Sequence, residues 1–266
     1  MNGARQTADR SVRIDVVEVP HPASSESLRD ATVIIVDVLR ASSTVVAALK
    51  SGATSIRLAL TIEEACGYRS ADPQALLCGE RNGVMPDGFD LGNSPGLYTI
   101  DRVAGRRLIM TTSNGTAAAR MYCGARALLW GALTNAMVIA CYAIASSDRV
   151  LIVCAGTDGA VSEDDIIAAG AITAAAMAVD NVTVDVGSVS AIRARTSFER
   201  ASTDLSRALA ATKHGQFLTK LGHAGDIREA AQLNAVTNVV PLVRNGTTIN
   251  AAETKVPLNS VSRTHG

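Results

Sequence analysis

The sequence predicts an α/β protein of three layers, α/β/α, in which helices cover both faces of a mainly parallel β-sheet. Six short apolar runs recur along the chain, and each precedes a stretch with helix-like spacing. Strands that are apolar on both faces and alternate with helices are typical of parallel sheets. The 266 residues contain no break in composition that would mark a linker. We therefore expect one α/β domain over residues 1–266, or two packed halves whose boundary is not defined.

The predicted elements follow from these runs in order. The strands are "ATVIIVDVL", "TSIRLAL", "ALLCGE", "RRLIMTTS", "RALLWGAL" and "RVLIVCAG". The segment "IDVVEVP" is expected to add a strand at the sheet edge, because it runs into Pro20. For "NVTVDVG", β-branched residues favour a strand and the neighbouring segments favour a helix, so both stay open. From about residue 196 the pattern predicts two or three helices, and "NAVTNVVPLVRNGTTIN" predicts a terminal β-hairpin.

Charge and hydropathy limit the classes of partner. The chain has 25 basic and 25 acidic residues, so we expect neither nucleic acid nor an anionic membrane as a partner. No run approaches the roughly 20 apolar residues of a membrane span, and the N-terminal "MNGARQTADR" lacks an apolar core. These features predict a soluble, cytoplasmic protein.

Cysteine and histidine content argues against thiol and zinc chemistry. The five cysteines are odd in number and form no C-x-x-C pair, which favours reduced, mostly buried thiols. Cys78 and Cys154 lie in apolar runs, so we assign them packing roles. The four histidines are scattered, and none has a second ligand at zinc spacing.

Polar residues follow several predicted strands, at the sheet edge where ligands of such folds gather. In "VDVLRASST", Asp37 ends a strand and could bind a hard cation or attack an electrophile. Arg40 could equally be a structural partner of Asp37, and Ser42 a helix cap. On these residues alone the two interpretations are equally supported.

Three further segments carry candidate residues. "LCGERNGVMPDGFDLGNSP" is too long and polar for a simple connector, although a solvated Ω-loop is the alternative. "MTTSNGTAAA" can point N–H groups at an anion, or form an Asn-Gly turn with helix caps. "CAGTDGAVSEDDIIAAG" brings three acids into a first helical turn, where the helix dipole alone would explain them.

Familiar hydrolase signatures are absent or fail. No cysteine has an arginine six positions later, Asp37 is not followed by the second acid of a D-x-D motif, and no phosphate-binding G-x-x-x-x-G-K-[ST] loop occurs. "GNSPG" matches the G-x-S-x-G motif of serine hydrolases, but Pro95 has no N–H to donate to an oxyanion. A serine hydrolase using Ser94 is therefore disfavoured.

Five motifs taken together resemble the 2-phosphosulfolactate phosphatase family. They are "DVLRASST", "GER", "GFDLGNSP", "TTSNGT", and "CAG" followed by an acid pair and "AAG", and the similarity continues into "GQFLTKLGHAGDIREAA" and "VVPLV". The resemblance implies a Mg²⁺-dependent phosphatase of coenzyme M biosynthesis that hydrolyses 2-phosphosulfolactate to sulfolactate and phosphate, with a homodimer as one option. A non-catalytic binder of a phosphorylated or sulfonated metabolite is the alternative, and it would release no phosphate.

The resemblance also assigns site residues by position. It implies a catalytic set of Asp37, Arg40, Glu80 and Arg81. It implies substrate contacts from Ser42, Ser43, Asn93, Ser94, Thr112, Asn114 and Gly115. It implies metal ligands among Asp37, Glu80, Asp90, Asp164 and Asp165. Asp164 replaces the glutamate of the family's Glu-Asp pair, and residues 181–198 depart from the family's helix-like pattern.

Overall fold

The computed structural model describes residues 10–252, which form ten strands and eleven α-helices. The strands are β1 (Arg10–Val17), β2 (Ala31–Val36), β3 (Ser55–Leu58), β4 (Leu76–Gly79), β5 (Arg107–Thr111), β6 (Ala127–Gly131), β7 (Arg149–Cys154), β8 (Val182–Val186), β9 (Pro241–Arg244) and β10 (Thr248–Ala251). The helices are α1 (Ser25–Arg29), α2 (Ala41–Lys50), α3 (Ile62–Ala71), α4 (Ile100–Val103), α5 (Gly115–Met121), α6 (Ala136–Ser146), α7 (Glu163–Met177), α8 (Val189–Ala201), α9 (Leu205–Ala211), α10 (Lys213–Lys220) and α11 (Ala224–Ala230).

All ten strands belong to one sheet, in the order β4-β5-β3-β10-β9-β6-β2-β7-β1-β8. Strands β4, β5 and β3 form one parallel block, and β6, β2, β7, β1 and β8 form a second. The hairpin β9–β10 lies between the blocks and pairs antiparallel with β6 and β3. Three successive antiparallel pairings therefore make the two blocks run in opposite senses along the sheet.

Helices cover both faces of this sheet because alternate strand residues are apolar on each face. On β2, Ile34 and Val36 pack with α6 and α7 in one core. Val33 and Ile35 pack with α2 and α5 in the other. The predicted fold class is confirmed: a mixed α/β protein with a mostly parallel sheet, C-terminal helices and a final hairpin.

Most element predictions are confirmed. Each of the six apolar runs contains a strand, "NVTVDVG" contains strand β8 at the sheet edge, and α9 to α11 are the helices expected near the C-terminus. The edge position expected for the first strand is wrong, because β1 lies between β7 and β8. Strand β1 ends at Val17, so Pro20 lies outside the ladder and places no restriction on it.

Cys78, Cys141 and Cys154 are buried with free thiols, whereas Cys66 and Cys123 are exposed. No helix within residues 10–252 combines the length and the apolar character needed to cross a bilayer.

The exits of the two blocks meet, which a flat sheet would not allow. Strands β5 and β2 are five positions apart in the sheet, equivalent to roughly 24 Å at about 4.8 Å per strand. Gly115 nevertheless hydrogen-bonds Asp37, and the backbone N–H of Asp158 lies 3.4 Å from Oδ1 of Asn114. Twist and curvature of the sheet therefore bring the turns after β2, β5 and β7 to one place.

Candidate active site

A cavity of about 620 Å³ opens where the turns after β2, β4, β5 and β7 meet α10. This volume suits a small metabolite. Six of the fourteen predicted site residues line it: Asp37, Arg40, Glu80, Asn93, Asn114 and Asp164. The other eight lie outside its lining, and their contacts explain why.

Asp37 is held rigidly at the end of β2. Its Oδ2 accepts the Gly115 N–H at 2.8 Å, and its Oδ1 accepts the Ala41 N–H at 3.3 Å. Burial raises the pKa of Asp37 to about 6; His214 opposes the rise, and the negative charge of Glu80 adds to it. The carboxylate thus lines the cavity in a fixed orientation. Because it is buried, its ionised form is unfavourable unless a cation is nearby.

Several residues predicted to contact substrate instead build the turns that hold Asp37. Ser42 accepts the Asp37 N–H at 2.9 Å, and Ser43 donates to the Val38 carbonyl at 2.8 Å. The N–H of Gly115 is already used by Asp37, and the Thr112 hydroxyl lies 3.0 Å from that of Thr116. The structure does not bring these four predicted residues to the cavity, because their polar groups are satisfied internally.

Glu80 organises two neighbouring turns at the end of β4. Its Oε1 accepts the Ser113 N–H at 2.8 Å, and its Oε2 accepts the Gly83 N–H at 2.8 Å. The Ser113 hydroxyl adds a longer contact of 3.3 Å to Oε2. Glu80 therefore lines the cavity and fixes the loops on both of its sides.

Arg40 lines the cavity, but its charge already has a partner. Its side chain is only 2% exposed, and Nη1 donates to Asp226 at 2.7 Å and to Ser94 at 3.1 Å. Nη2 donates to the Gly83 carbonyl at 2.8 Å. Ser94, predicted to contact substrate, lies outside the cavity because its hydroxyl bridges Arg40 and Asp226.

Arg81 does not line the cavity, in contrast to its predicted catalytic role. Its guanidinium donates to the carbonyls of Glu80 at 2.7 Å and Leu60 at 2.8 Å. A third bond, of 2.6 Å, reaches the Thr111 hydroxyl. These bonds use the guanidinium fork to brace the ends of β4 and β5, so it is not directed at a ligand.

The adjacent acids Asp164 and Asp165 have different surroundings at the start of α7. Asp164 lines the cavity, and its Oδ1 accepts the Ser162 hydroxyl at 2.7 Å. Asp165 lies behind it, where its two oxygens accept the N–H groups of Val38 at 2.8 Å and Gly156 at 3.0 Å. Burial raises the pKa of both carboxyl groups. Asp165 is therefore a brace between β2 and β7, and its role as a metal ligand stays a prediction.

Asp90, a predicted metal ligand, does not line the cavity with the other acids. Its Oδ2 accepts from Arg69 and from the Leu77 N–H, at 2.7 and 2.8 Å. These bonds tie the loop after β4 to α3 and β4.

The sequence interpretation missed the contribution of α10. Lys213 and His214 line the cavity, and Nδ1 of His214 lies 3.8 Å from Oδ2 of Asp164 and 3.5 Å from the Thr157 hydroxyl. Asp226, the partner of Arg40, was also missed. All three lie in "KHGQFLTKLGHAGDIREAA". A basic residue and a histidine at the start of a predicted helix were the sequence features that could have indicated a role in the site.

Unpartnered polar atoms mark the cavity as a place for a ligand. Within residues 10–252, the buried side-chain atoms without a hydrogen bond include Nε of Arg40, Oδ1 of Asn93 and Oδ2 of Asp164. All three residues line the cavity. Because unpaired buried polar atoms are costly, these three atoms are candidate contacts for a polar ligand.

Comparisons with known proteins identify the family of the chain. A family model described as 2-phosphosulpholactate phosphatase matches residues 17–246. The chain belongs to the 2-phosphosulfolactate phosphatase family. The predicted family is thereby confirmed, and with it the enzyme class, a phosphoric monoester hydrolase.

Relatives match this family member over most of their length. A protein of Deinococcus radiodurans named probable 2-phosphosulfolactate phosphatase is 43% identical over 212 residues, covering 79% of this chain and 87% of the relative. Proteins with the same name are 37% identical in Symbiobacterium thermophilum, over 87% of this chain and 97% of the relative, and 34% identical in Carboxydothermus hydrogenoformans, over 86% and 92%.

The cavity of this phosphatase-family chain has donors that suit Mg²⁺. Within residues 10–252 no three His, Cys, Asp or Glu side chains are arranged as a preformed metal cluster. Mg²⁺, however, keeps several waters and needs only one or two carboxylates. Oδ2 of Asp164, which accepts no hydrogen bond, and the carboxylate of Asp37 could hold it.

The charge of the lining points the same way. It contains five acids and two permanently charged bases: Asp37, Glu80, Asp158, Glu163 and Asp164, against Arg40 and Lys213. An anionic substrate would be repelled from such a cavity without a bound cation. The donor set and the charge balance both fit a divalent metal.

Proposed function

We propose that the protein is a Mg²⁺-dependent phosphatase that hydrolyses the phosphate monoester of a small anionic hydroxy-acid, with 2-phosphosulfolactate as its substrate. The observation that carries the proposal is the buried Oδ2 of Asp164, which accepts no hydrogen bond, in an acidic cavity that also contains Asp37. Family membership supports the reaction class, and the names of the relatives support the substrate.

The side chains of the cavity would have distinct tasks. Asp37 is oriented by the N–H groups of Ala41 and Gly115. It can therefore serve as metal ligand or as phosphoryl acceptor without losing conformational entropy when the substrate binds. The free Nε–H of Arg40 can donate to a phosphate oxygen. Bound Mg²⁺ would supply Lewis-acid stabilisation of charge on the transferring phosphoryl group. The reaction consumes one water and releases inorganic phosphate and the hydroxy-acid.

Phosphate release from 2-phosphosulfolactate tests this proposal. We expect release with added Mg²⁺ and none after chelation with EDTA. Asp164→Asn and Asp37→Asn should each lower turnover by about 10²-fold or more, since the charged oxygen that faces the ligand is lost. Asp101→Asn, which changes an exposed acid of α4, is the matched control and should behave like the parent.

Three results would overturn the proposal. Full activity in EDTA would end the Mg²⁺ requirement, and near-parental turnover in well-folded Asp37→Asn would remove Asp37 from the site. Tight binding of the substrate without any release of phosphate would identify a binding protein instead. Acid quenching during turnover separates the two roles of Asp37, because only the acceptor role leaves a phosphorylated protein. Coenzyme M biosynthesis, a cytoplasmic location and a homodimer stay predictions.

A further inference from the structure

The cations available to an anionic substrate differ from those that the sequence indicated. Arg40 is paired with Asp226, and Arg81 is turned to backbone carbonyls outside the cavity. The remaining basic side chains of the lining are Lys213 and His214, and lysine is the stronger base of these two residue types. Among the described residues, Lys213 is therefore the one strong base of the lining that forms no ion pair.

The start of α10 fixes the position of Lys213. Thr212 is the N-cap of α10, and its hydroxyl accepts the Gly215 N–H at 3.0 Å. Gly215 packs so closely on α9 that an added Cβ would lie 2.0 Å from the Leu209 carbonyl oxygen. The backbone at Lys213 is thus held at the cavity while its side chain is exposed.

The ammonium group of Lys213 has no hydrogen bond or ion pair to any residue in the described range 10–252. This is so although two acids, Asp158 and Glu163, line the same cavity. Glu163 is instead paired with Arg193 on α8. A long, mobile side chain with an unmatched charge can reach an anion that enters the cavity.

We infer that Lys213 binds an anionic group of the substrate's organic part, a carboxylate or a sulfonate. It would thereby select phosphate esters with a second anionic group over those without one. This inference rests on the proposed function. The phosphate itself is assigned to other groups of the lining, the carboxylates of Asp37 and Asp164 with their cation and the Nε–H of Arg40. Lys213 is then a specificity-determining residue and takes no part in breaking the phosphate ester.

Three phosphate esters on the same three-carbon frame test the assignment. Isopropyl phosphate has no second anion, 2-phospholactate has a carboxylate, and 2-phosphosulfolactate has a carboxylate and a sulfonate. In Lys213→Met, the ratio of kcat/KM for 2-phosphosulfolactate to that for isopropyl phosphate should fall about tenfold, mainly through KM. Lys213→Arg should recover most of the ratio. Lys220→Met, at the exposed other end of α10, is the matched control and should keep it.

The pattern of loss identifies the bound group. A loss on both acids indicates the carboxylate, and a loss on 2-phosphosulfolactate alone indicates the sulfonate. Either result supports the inference. An unchanged ratio in Lys213→Met, an equal loss on all three esters, or the same loss in Lys220→Met would overturn it while leaving the proposed function intact. If the unaltered protein hydrolyses none of the esters with Mg²⁺, the proposed function and the inference both fail.

Discussion

Gly115 donates its backbone N–H to Oδ2 of Asp37 over 2.8 Å, although the two residues follow strands that are five positions apart in the sheet. The approach is close enough to require glycine. A Cβ on residue 115 would lie 2.8 Å from Oδ2 of Asp37 and 2.9 Å from Cη2 of Trp130. Asp37 and Trp130 are both buried, so neither can move away freely.

We expect Gly115→Ala to displace the Asp37 carboxylate and to lower kcat for phosphate release by about tenfold or more, since small misplacements at a reacting centre are costly. Gly124→Ala is the control, because it follows the same helix and its Cβ would meet nothing within 4 Å. Circular dichroism should show both variants folded. Parental kcat in Gly115→Ala would contradict the role given to this contact.

The neighbours Asp164 and Asp165 should respond differently to the same change. Asp165→Asn places an amide against one of two buried N–H groups, so unfolding should become easier by about 1–3 kcal/mol. Asp164→Asn changes a buried oxygen that accepts no hydrogen bond and lies 3.8 Å from Nδ1 of His214, so stability should fall less than in Asp165→Asn while turnover is lost. Thermal melting and phosphate release, measured on both variants, check the pair. A larger loss of stability in Asp164→Asn than in Asp165→Asn would reverse the assignment.

The sequence was informative about the strands and about which turns surround the site. The apolar runs that end at Asp37, Glu80 and Thr111 are buried strands, and polar residues at their exits lie near the cavity. The pattern could not separate residues that face a ligand from residues that hold the turns. Ser42 and Asn93 have equally polar side chains, and only the folded geometry decides which one is satisfied by its own loop.

Residues from the C-terminal helices could not be placed by local pattern. Lys213, His214 and Asp226 reach the site through the packing of α10 and α11 on other helices and on the turn at Ser94. Asp226 is 186 positions from its partner Arg40. Spacing rules describe near neighbours in sequence, whereas this contact depends on the tertiary fold.

The thiols should be unnecessary for the reaction. Burial raises the pKa of Cys78 to about 12 and also raises the pKa of Cys141 and Cys154, so these groups stay protonated and unreactive near neutral pH. Ellman's reagent at pH 8 should titrate two thiols in the native protein, Cys66 and Cys123, and all five in denaturant. Phosphate release should survive this labelling. Loss of turnover in folded Cys78→Ala or Cys154→Ser would show that a buried thiol takes part.

The ion pair of Arg40 with Asp226 joins α11 to the cavity wall. Because the pair is buried, removing the charge of one partner alone should lower the stability of the fold. Their side chains are only 2% and 11% exposed, so Asp226→Asn would leave a buried guanidinium charge uncompensated. We expect a loss of about 3–5 kcal/mol, or roughly 10 °C in Tm, together with lower turnover because Arg40 and Ser94 lose their shared partner. Asp72→Asn breaks an exposed pair of similar length with Arg107 and should change Tm far less.

The double variant Arg40→Met with Asp226→Asn should recover part of the lost stability but no activity, since the buried charge is gone and the Nε–H with it. Equal Tm shifts for Asp226→Asn and Asp72→Asn would show that this pair does not hold the C-terminal helices at the site.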